Sequence, residues 1–261
     1  MFEVDMALVL AVDISFSISL DEQDIQRRGY VAAFLDQDVV DALTTGTRGR
    51  VAVTYLEWAG EAAQAQVIPW TIIADSASAA AFSARLDALE ASRSGRTSLS
   101  GALDVAADLL NRSPFVSYRQ VVDISSDGMN NAGRRVDKAR DRLTYRGITI
   151  NGLPLMAGSK NAPTQNLDAY FRDCVIGGLG AFSYPVYDWD DFAQTLKQKL
   201  IREISGVHPP VQARLWHAAD ETTDCLTGEK RELEEFKALI GSIPGGSERW
   251  KPVEDDWLPQ D

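Results

Sequence analysis

The chain has 261 residues, enough for one large α/β domain or two small ones, and its 45% apolar content is ordinary for a globular protein. Its formal charge of −12 argues against a nucleic-acid surface, which needs clustered Lys and Arg, and disfavours anionic membranes. No stretch approaches the ~20 apolar residues of a membrane span. Two cysteines, Cys174 and Cys225, have neither the density of a disulfide framework nor the spacing of a zinc site. The expectation is two reduced thiols, with a single bridge between them as the alternative, Cys174 being a buried small hydrophobe beside Val175-Ile176.

The apolar run Met6 to Val12 follows Glu3 and Asp5, with no basic residue before it, so it lacks the positive start of a signal peptide. Its core, Leu8 to Val12, is a short continuous run, the pattern of a strand covered on both faces. As written the sequence predicts a cytoplasmic protein; a start codon further upstream would instead place it in the periplasm or outside the cell.

Asp21 to Asp38 reads as a helix with Tyr30, Ala33 and Phe34 on its apolar face. Val51 to Trp58 is a second strand and Gln66 to Ile73 a third. The short link between them, with Gly60, predicts a hairpin, and Pro69 places the third strand at an edge. Helices follow over Ser76 to Leu89 and Ser98 to Leu110. Gln120 to Ser125 is a fourth strand, Arg134 to Arg146 a charged surface helix, and Ile148 to Leu153 a fifth strand. Leu167 to Cys174 is a short helix, Phe182 to Val186 a sixth strand, and Asp191 to Ile204 a closing helix. This alternation predicts a doubly wound α/β fold: a six-stranded, mostly parallel sheet with one antiparallel edge and helices on both faces.

The domain is expected to span residues 1–206. His208-Pro209-Pro210 breaks the pattern, and residues 207–261 carry 12 acidic and 6 basic residues. This acidic appendage should hold one helix, Glu229 to Ile240, with extended segments around Pro244 and Pro252. Its Trp250, Trp257 and Leu258 are unusual for purely solvated chain and suggest docking back on the domain or on a partner.

Three segments carry chemistry. Asp13-Ile14-Ser15-Phe16-Ser17 sets an acid and two hydroxyls at alternating positions just after the first strand. Thr97 precedes a helix, and Asp127-Gly128 follows the fourth strand. Ligands in such sheets bind at the carboxyl ends of the strands, at a topological switch point. Hard cations such as Mg²⁺ or Mn²⁺ take about six oxygen ligands. Ser15, Ser17 and Thr97 are candidate direct ligands, and Asp13 and Asp127 bind directly or through water. Taken singly, Asp13 could cap a turn and the serines could be ordinary loop residues.

Asp13-x-Ser15-x-Ser17, then Thr97, then Asp127-Gly128 resembles the metal-ion-dependent adhesion site of von Willebrand factor type A (vWA) domains, over about residues 5 to 205. More narrowly, Val53 to Trp58, Ile148 to Pro154 and Asp173 to Gly178 are similar to an uncharacterised bacterial vWA-like family. The resemblance implies a binding module rather than an enzyme, whose Mg²⁺ or Mn²⁺ is completed by an Asp or Glu of a protein ligand. It also implies a last helix, Asp191 to Ile204, able to couple the site to the acidic tail. Phe16 departs from the usual glycine, and puts an aromatic beside the metal as a partner contact or a plug.

Competing chemistries lack their parts. A phosphatase using an aspartyl nucleophile needs a second acid where Ser15 stands. A serine hydrolase needs a Gly-x-Ser-x-Gly elbow and a usable His, but His208 and His217, the two histidines, both fall in the appendage. A metal-free structural vWA domain, with Phe16 filling the site, is the remaining alternative. Trp58 is expected in the core rather than, with Glu57, on the site rim, Asn130-Asn131 in turn chemistry with a rim role second, and Asp123 beside Arg119 or facing solvent.

Overall fold

The computed structural model describes residues 2–157, 166–206 and 223–242. Trp250, Trp257, Leu258 and both histidines lie outside these. The elements run β1 (Phe2–Asp13), α1 (Leu20–Leu35), α2 (Gln37–Thr44), β2 (Val51–Trp58), β3 (Gln64–Ile73), α3 (Ser76–Asp87) and α4 (Leu99–Asn111). β4 (Phe115–Ser126), α5 (Val136–Tyr145), β5 (Thr149–Pro154), α6 (Leu167–Tyr170), α7 (Phe192–Ser205) and α8 (Thr227–Ser242) follow.

The sheet order is β3-β2-β1-β4-β5. β1 pairs in parallel with both β2 and β4, β5 continues parallel to β4, and β3 closes the other edge antiparallel to β2. Successive side chains of β1 alternate between two cores, as the two-residue strand repeat requires. Met6, Leu8, Leu10 and Val12 face α1, α2, α3 and α7, where Tyr30 meets Tyr55 edge-on at 5.7 Å and Phe34 meets Phe82 at 4.7 Å. Ala7, Val9 and Ala11 face the α4, α5 and α6 layer with Leu99, Leu103, Leu143 and Phe171. A strand covered on both faces reads as an unbroken apolar run, which is why Leu8 to Val12 was legible.

The sheet has five strands, not six. Phe182 to Val186 does lie along β5 in parallel register, but only as two isolated bridges, Gly152 with Ser183 and Leu155 with Val186. The pairing between them is lost because Pro154 has no N–H to donate at its position in the ladder. The predicted helix over Asp21 to Asp38 is two helices. Asp36 ends α1 and caps α2, its side chain accepting from the Asp38 N–H at 2.9 Å. Pro69 lies on the edge strand, where β3 pairs with β2 through a register shift. Among the described residues no helix is long and apolar enough to cross a membrane.

Asp123 does not face solvent or bond Arg119. It is fully buried and forms an ion pair with the equally buried Lys199 of α7, which also lies 3.4 Å from Glu203. Asn151 donates to Glu203 at 2.6 Å, and Arg119 instead holds the carbonyls of Glu203 and Ile204 at the end of α7. Cys174 is buried, as expected, but it is not a free thiol: it is bonded to Cys225 across 51 residues of sequence. Sequence spacing could not reveal that bond, because the two partners meet only once α8 lies against the domain.

Candidate metal centre

β1 and β4 are adjacent in the sheet, yet the chain leaves them toward opposite edges. Their carboxyl ends therefore border the switch point. Asp13 ends β1 and Asp127 follows β4, with Val12 registered against Ser125. The β1 loop is clamped on one side by the Ile14 N–H to the Trp58 carbonyl at 2.8 Å. On the other, Ser94 donates to the Ile14 carbonyl at 3.0 Å and Phe16 to the Gly95 carbonyl at 3.3 Å. Buried Ile18 and the capping box of Ser19 and Glu22 at the start of α1 fix its far end.

Four of the five candidate ligands, Ser15, Ser17, Thr97 and Asp127, line one cavity of about 250 Å³. The Ser15 and Ser17 hydroxyls lie 3.0 Å apart, and Ser17 donates to Asp127 Oδ1 at 2.7 Å. Asp13 stands behind them, fully buried. Its Oδ1 accepts from the Ser15 N–H at 2.7 Å, and its Oδ2 from the Ser126 hydroxyl at 2.5 Å. Asp13 thus shapes the loop that presents Ser15, a role its position in the motif did not specify. Thr97 precedes Ser98, the N-cap of α4, whose side chain accepts from Gly101 at 3.2 Å.

Burial pushes the Asp13 carboxyl up to about 7, with the nearby charge of Asp127 adding to the effect. Asp127 is pushed up to about 6, again by burial, against the hydrogen bond from Ser17 and with Glu22 adding repulsion. Neither carboxylate is paired with a cationic side chain among the described residues. Two buried acids and three converging hydroxyls, short of positive charge, are the donor set that a hard divalent ion completes. The residues therefore fit such an ion. Among the described residues no three Asp, Glu, His or Cys side chains are placed to hold a metal ion together, so the hydroxyls are indispensable to any such site.

Phe16 is 61% exposed and does not plug the cavity. Its φ is negative, so a side chain is tolerated where glycine is usual. Arg93 lies over its ring at 5.6 Å and donates to its carbonyl. Trp58 is fully buried, as expected, while Glu57 is mostly buried beside it, its carboxyl pushed up by desolvation.

The asparagines do more than shape a turn. Asn131 Oδ1 accepts from the Thr97 N–H at 2.8 Å and the Asn131 N–H donates to the Thr97 carbonyl at 2.9 Å. Asn130 Oδ1 accepts from the Ser100 N–H at 3.0 Å. Together they tie the loop after β4 to the start of α4, so Thr97 and Asp127 are held by one network. Two consecutive asparagines after Asp-Gly were the available signal, and turn propensity masked it. The sequence also gave no sign that α8 contributes Gly228, Arg231, Glu232 and Glu235 to the wall of this cavity.

The family described as "Protein of unknown function (DUF1194)" matches residues 3–208. No curated protein matches the chain. Among solved structures, proximal thread matrix protein 1 from the mussel byssus, with a zinc-occupied metal-ion-dependent adhesion site, superposes with a TM-score of 0.54. It is 15% identical over 77% of this chain and 46% of that one. A von Willebrand factor type A protein from Catenulispora acidiphila gives 0.53 at 17% identity, covering 78% and 43%. The pilus adhesin SpaC from Lactobacillus rhamnosus GG gives 0.56 at 10%, covering 78% and 31%. The chain spans less than half the length of each, and at these identities the likeness establishes a shared vWA fold.

Proposed function

The chain belongs to the DUF1194 family and has a vWA-like fold, and from that premise we propose that it is a divalent-metal-dependent protein-binding module of the adhesion or scaffold type. The observation that carries this reading is the convergence of Ser15, Ser17, Thr97 and Asp127, from three separate stretches of sequence, on one cavity backed by Asp13. Mg²⁺ or Mn²⁺ is the ion that this oxygen donor set suits. Ser15, Ser17 and Thr97 would hold it directly, with Asp127 beside them and Asp13 behind. When bound, the ion supplies an electrophilic coordination position that a partner's Asp or Glu completes. The zinc-occupied site of the mussel byssus protein, in the same fold, supports a divalent ion here.

The same residues support binding over catalysis. Ser15 occupies the position where an aspartyl phosphatase needs its proton donor. The two site acids support the ion instead, and the exposed Phe16 stands on the rim as a contact for a protein surface. Partner and metal binding should reinforce one another, since each stabilises the state that the other prefers.

Of the two compartments that the sequence leaves open, we infer the exported one, because the Cys174–Cys225 disulfide persists in oxidising surroundings. Affinity capture in Mg²⁺ and in EDTA tests the functional reading. Proteins retained only with Mg²⁺, and lost with Thr97→Ala, are expected. A set of retained proteins indifferent to both EDTA and Thr97→Ala would exclude metal-mediated recognition.

A further inference from the structure

α8 comes from the appendage, beyond the sheet and its covering helices, yet it is fastened to two of the three loops that carry the candidate ligands. The Cys174–Cys225 disulfide ties down the chain two residues before its first turn. Gly228 lies so close to the Asn130 carbonyl that a Cβ would fall 1.9 Å from that oxygen, an approach open only to glycine. Glu229 Oε1 accepts from Asn130 Nδ2 at 2.7 Å. Glu232 pairs with Arg96 at 3.1 Å and accepts from Asn131 Nδ2 at 3.5 Å. Asn130 and Asn131 follow Asp127-Gly128, and Arg96 precedes Thr97.

Gly228, Arg231, Glu232 and Glu235 are spaced three, four and seven residues along one helix face, and all four line the metal cavity. Glu232 is committed to Arg96 and Asn131. Glu235 is not held by the domain: among the described residues its partner is Arg231 of the same helix, at 2.9 Å. A cavity of about 250 Å³ is far above the ~10–15 Å³ that a single water needs, enough for a hydrated ion and one carboxylate.

Building on the metal-centre reading, we propose that α8 is a built-in occupant of this site. Glu235 is the carboxylate that this chain offers to the bound ion, directly or through one of its waters, and an external carboxylate must displace it. Glu232 is a positioning residue that sets the helix at the required height. The disulfide keeps the local concentration of this internal carboxylate high, so a partner must outcompete a tethered group rather than fill an open position.

Mn²⁺ titration of the full oxidised chain, followed by calorimetry, tests this beside Glu235→Gln and a control, Glu234→Gln, whose carboxylate bonds Lys237 at 3.0 Å. Glu235→Gln should lower Mn²⁺ affinity about three- to tenfold, roughly 0.7–1.4 kcal/mol, while the control matches wild type. Mn²⁺ should also slow hydrogen exchange of the α8 amides in wild type, and less so in Glu235→Gln. Equal affinity and equal α8 protection in wild type and Glu235→Gln would overturn the proposal and leave the metal centre standing. A wild type that binds no Mn²⁺ would overturn both.

Discussion

Asp127 is buried, bonded to Ser17, and close enough to Asp13 to raise its proton affinity. Without a cation this arrangement is a cost, since desolvation and repulsion both oppose the charged forms. Asp127→Asn should therefore raise the melting temperature of the metal-free protein by a few degrees while abolishing the upward shift that Mn²⁺ produces in wild type. Thermal melts with EDTA and with Mn²⁺ check both halves. Phe16 provides a contrasting case. Its side chain donates nothing to the site and its loop hydrogen bond to Gly95 is made by backbone. Phe16→Ala should keep Mn²⁺ affinity within about twofold of wild type by titration calorimetry, a difference near 0.4 kcal/mol. The five candidate ligands were readable because acids and hydroxyls at fixed spacing beside strand ends are a local pattern. The work of Asn130, Asn131 and Ser126 was not, because each acts on residues that sequence separation or turn chemistry hides.

α8 is the element on which access to the site turns, and its docking depends on a buried acid. Burial pushes the Glu229 carboxyl up to about 7, Asp224 and Asp137 add repulsion, and the Asn130 amide opposes the shift. Tyr170, whose hydroxyl bonds the Asn130 N–H at 3.2 Å, faces the same pocket. A carboxyl whose folded pKa is raised binds an extra proton when docked. Its contribution is complete below about 4.5 and is lost as pH rises toward 7. Hydrogen exchange of α8, corrected for intrinsic rates, should show weakening protection across that window. Glu229→Gln keeps the acceptor for Asn130 and should flatten the dependence, strengthening docking above pH 7 by on the order of 2–3 kcal/mol. A pH response unchanged by Glu229→Gln would assign it to another group. The helix itself was expected from the sequence over Glu229 to Ile240 and spans Thr227–Ser242. Where it lies was not legible, because a lone cysteine pair and one glycine carry that information.

Across the molecule, the sheet order sets where the site lies, and a buried charge cluster holds the opposite face of the sheet to α7. Lys199 compensates Asp123 and Glu203, and burial still leaves the Glu203 carboxyl raised to about 7. Lys199→Met would strand the Asp123 charge in the core and should cost about 3–5 kcal/mol in urea unfolding. A loss under about 1 kcal/mol would show that water reaches the cluster. Apolar strands and amphipathic helices made the fold class, the antiparallel edge and most element positions legible in the sequence. Two departures in the element pattern escaped it. Pro154 reduces the sixth strand to isolated bridges, and Asp36 turns one long helix into two, each through a single residue whose effect depends on neighbours in space.

The central claim is that Asp13, Ser15, Ser17, Thr97 and Asp127 form a divalent-cation site. Calorimetric titration of Mg²⁺ and of Mn²⁺ into wild type and Asp127→Ala tests it most directly. One saturable site in wild type, absent from a folded Asp127→Ala, is the predicted result. No metal-dependent heat in wild type, or equal binding by both proteins, would contradict it.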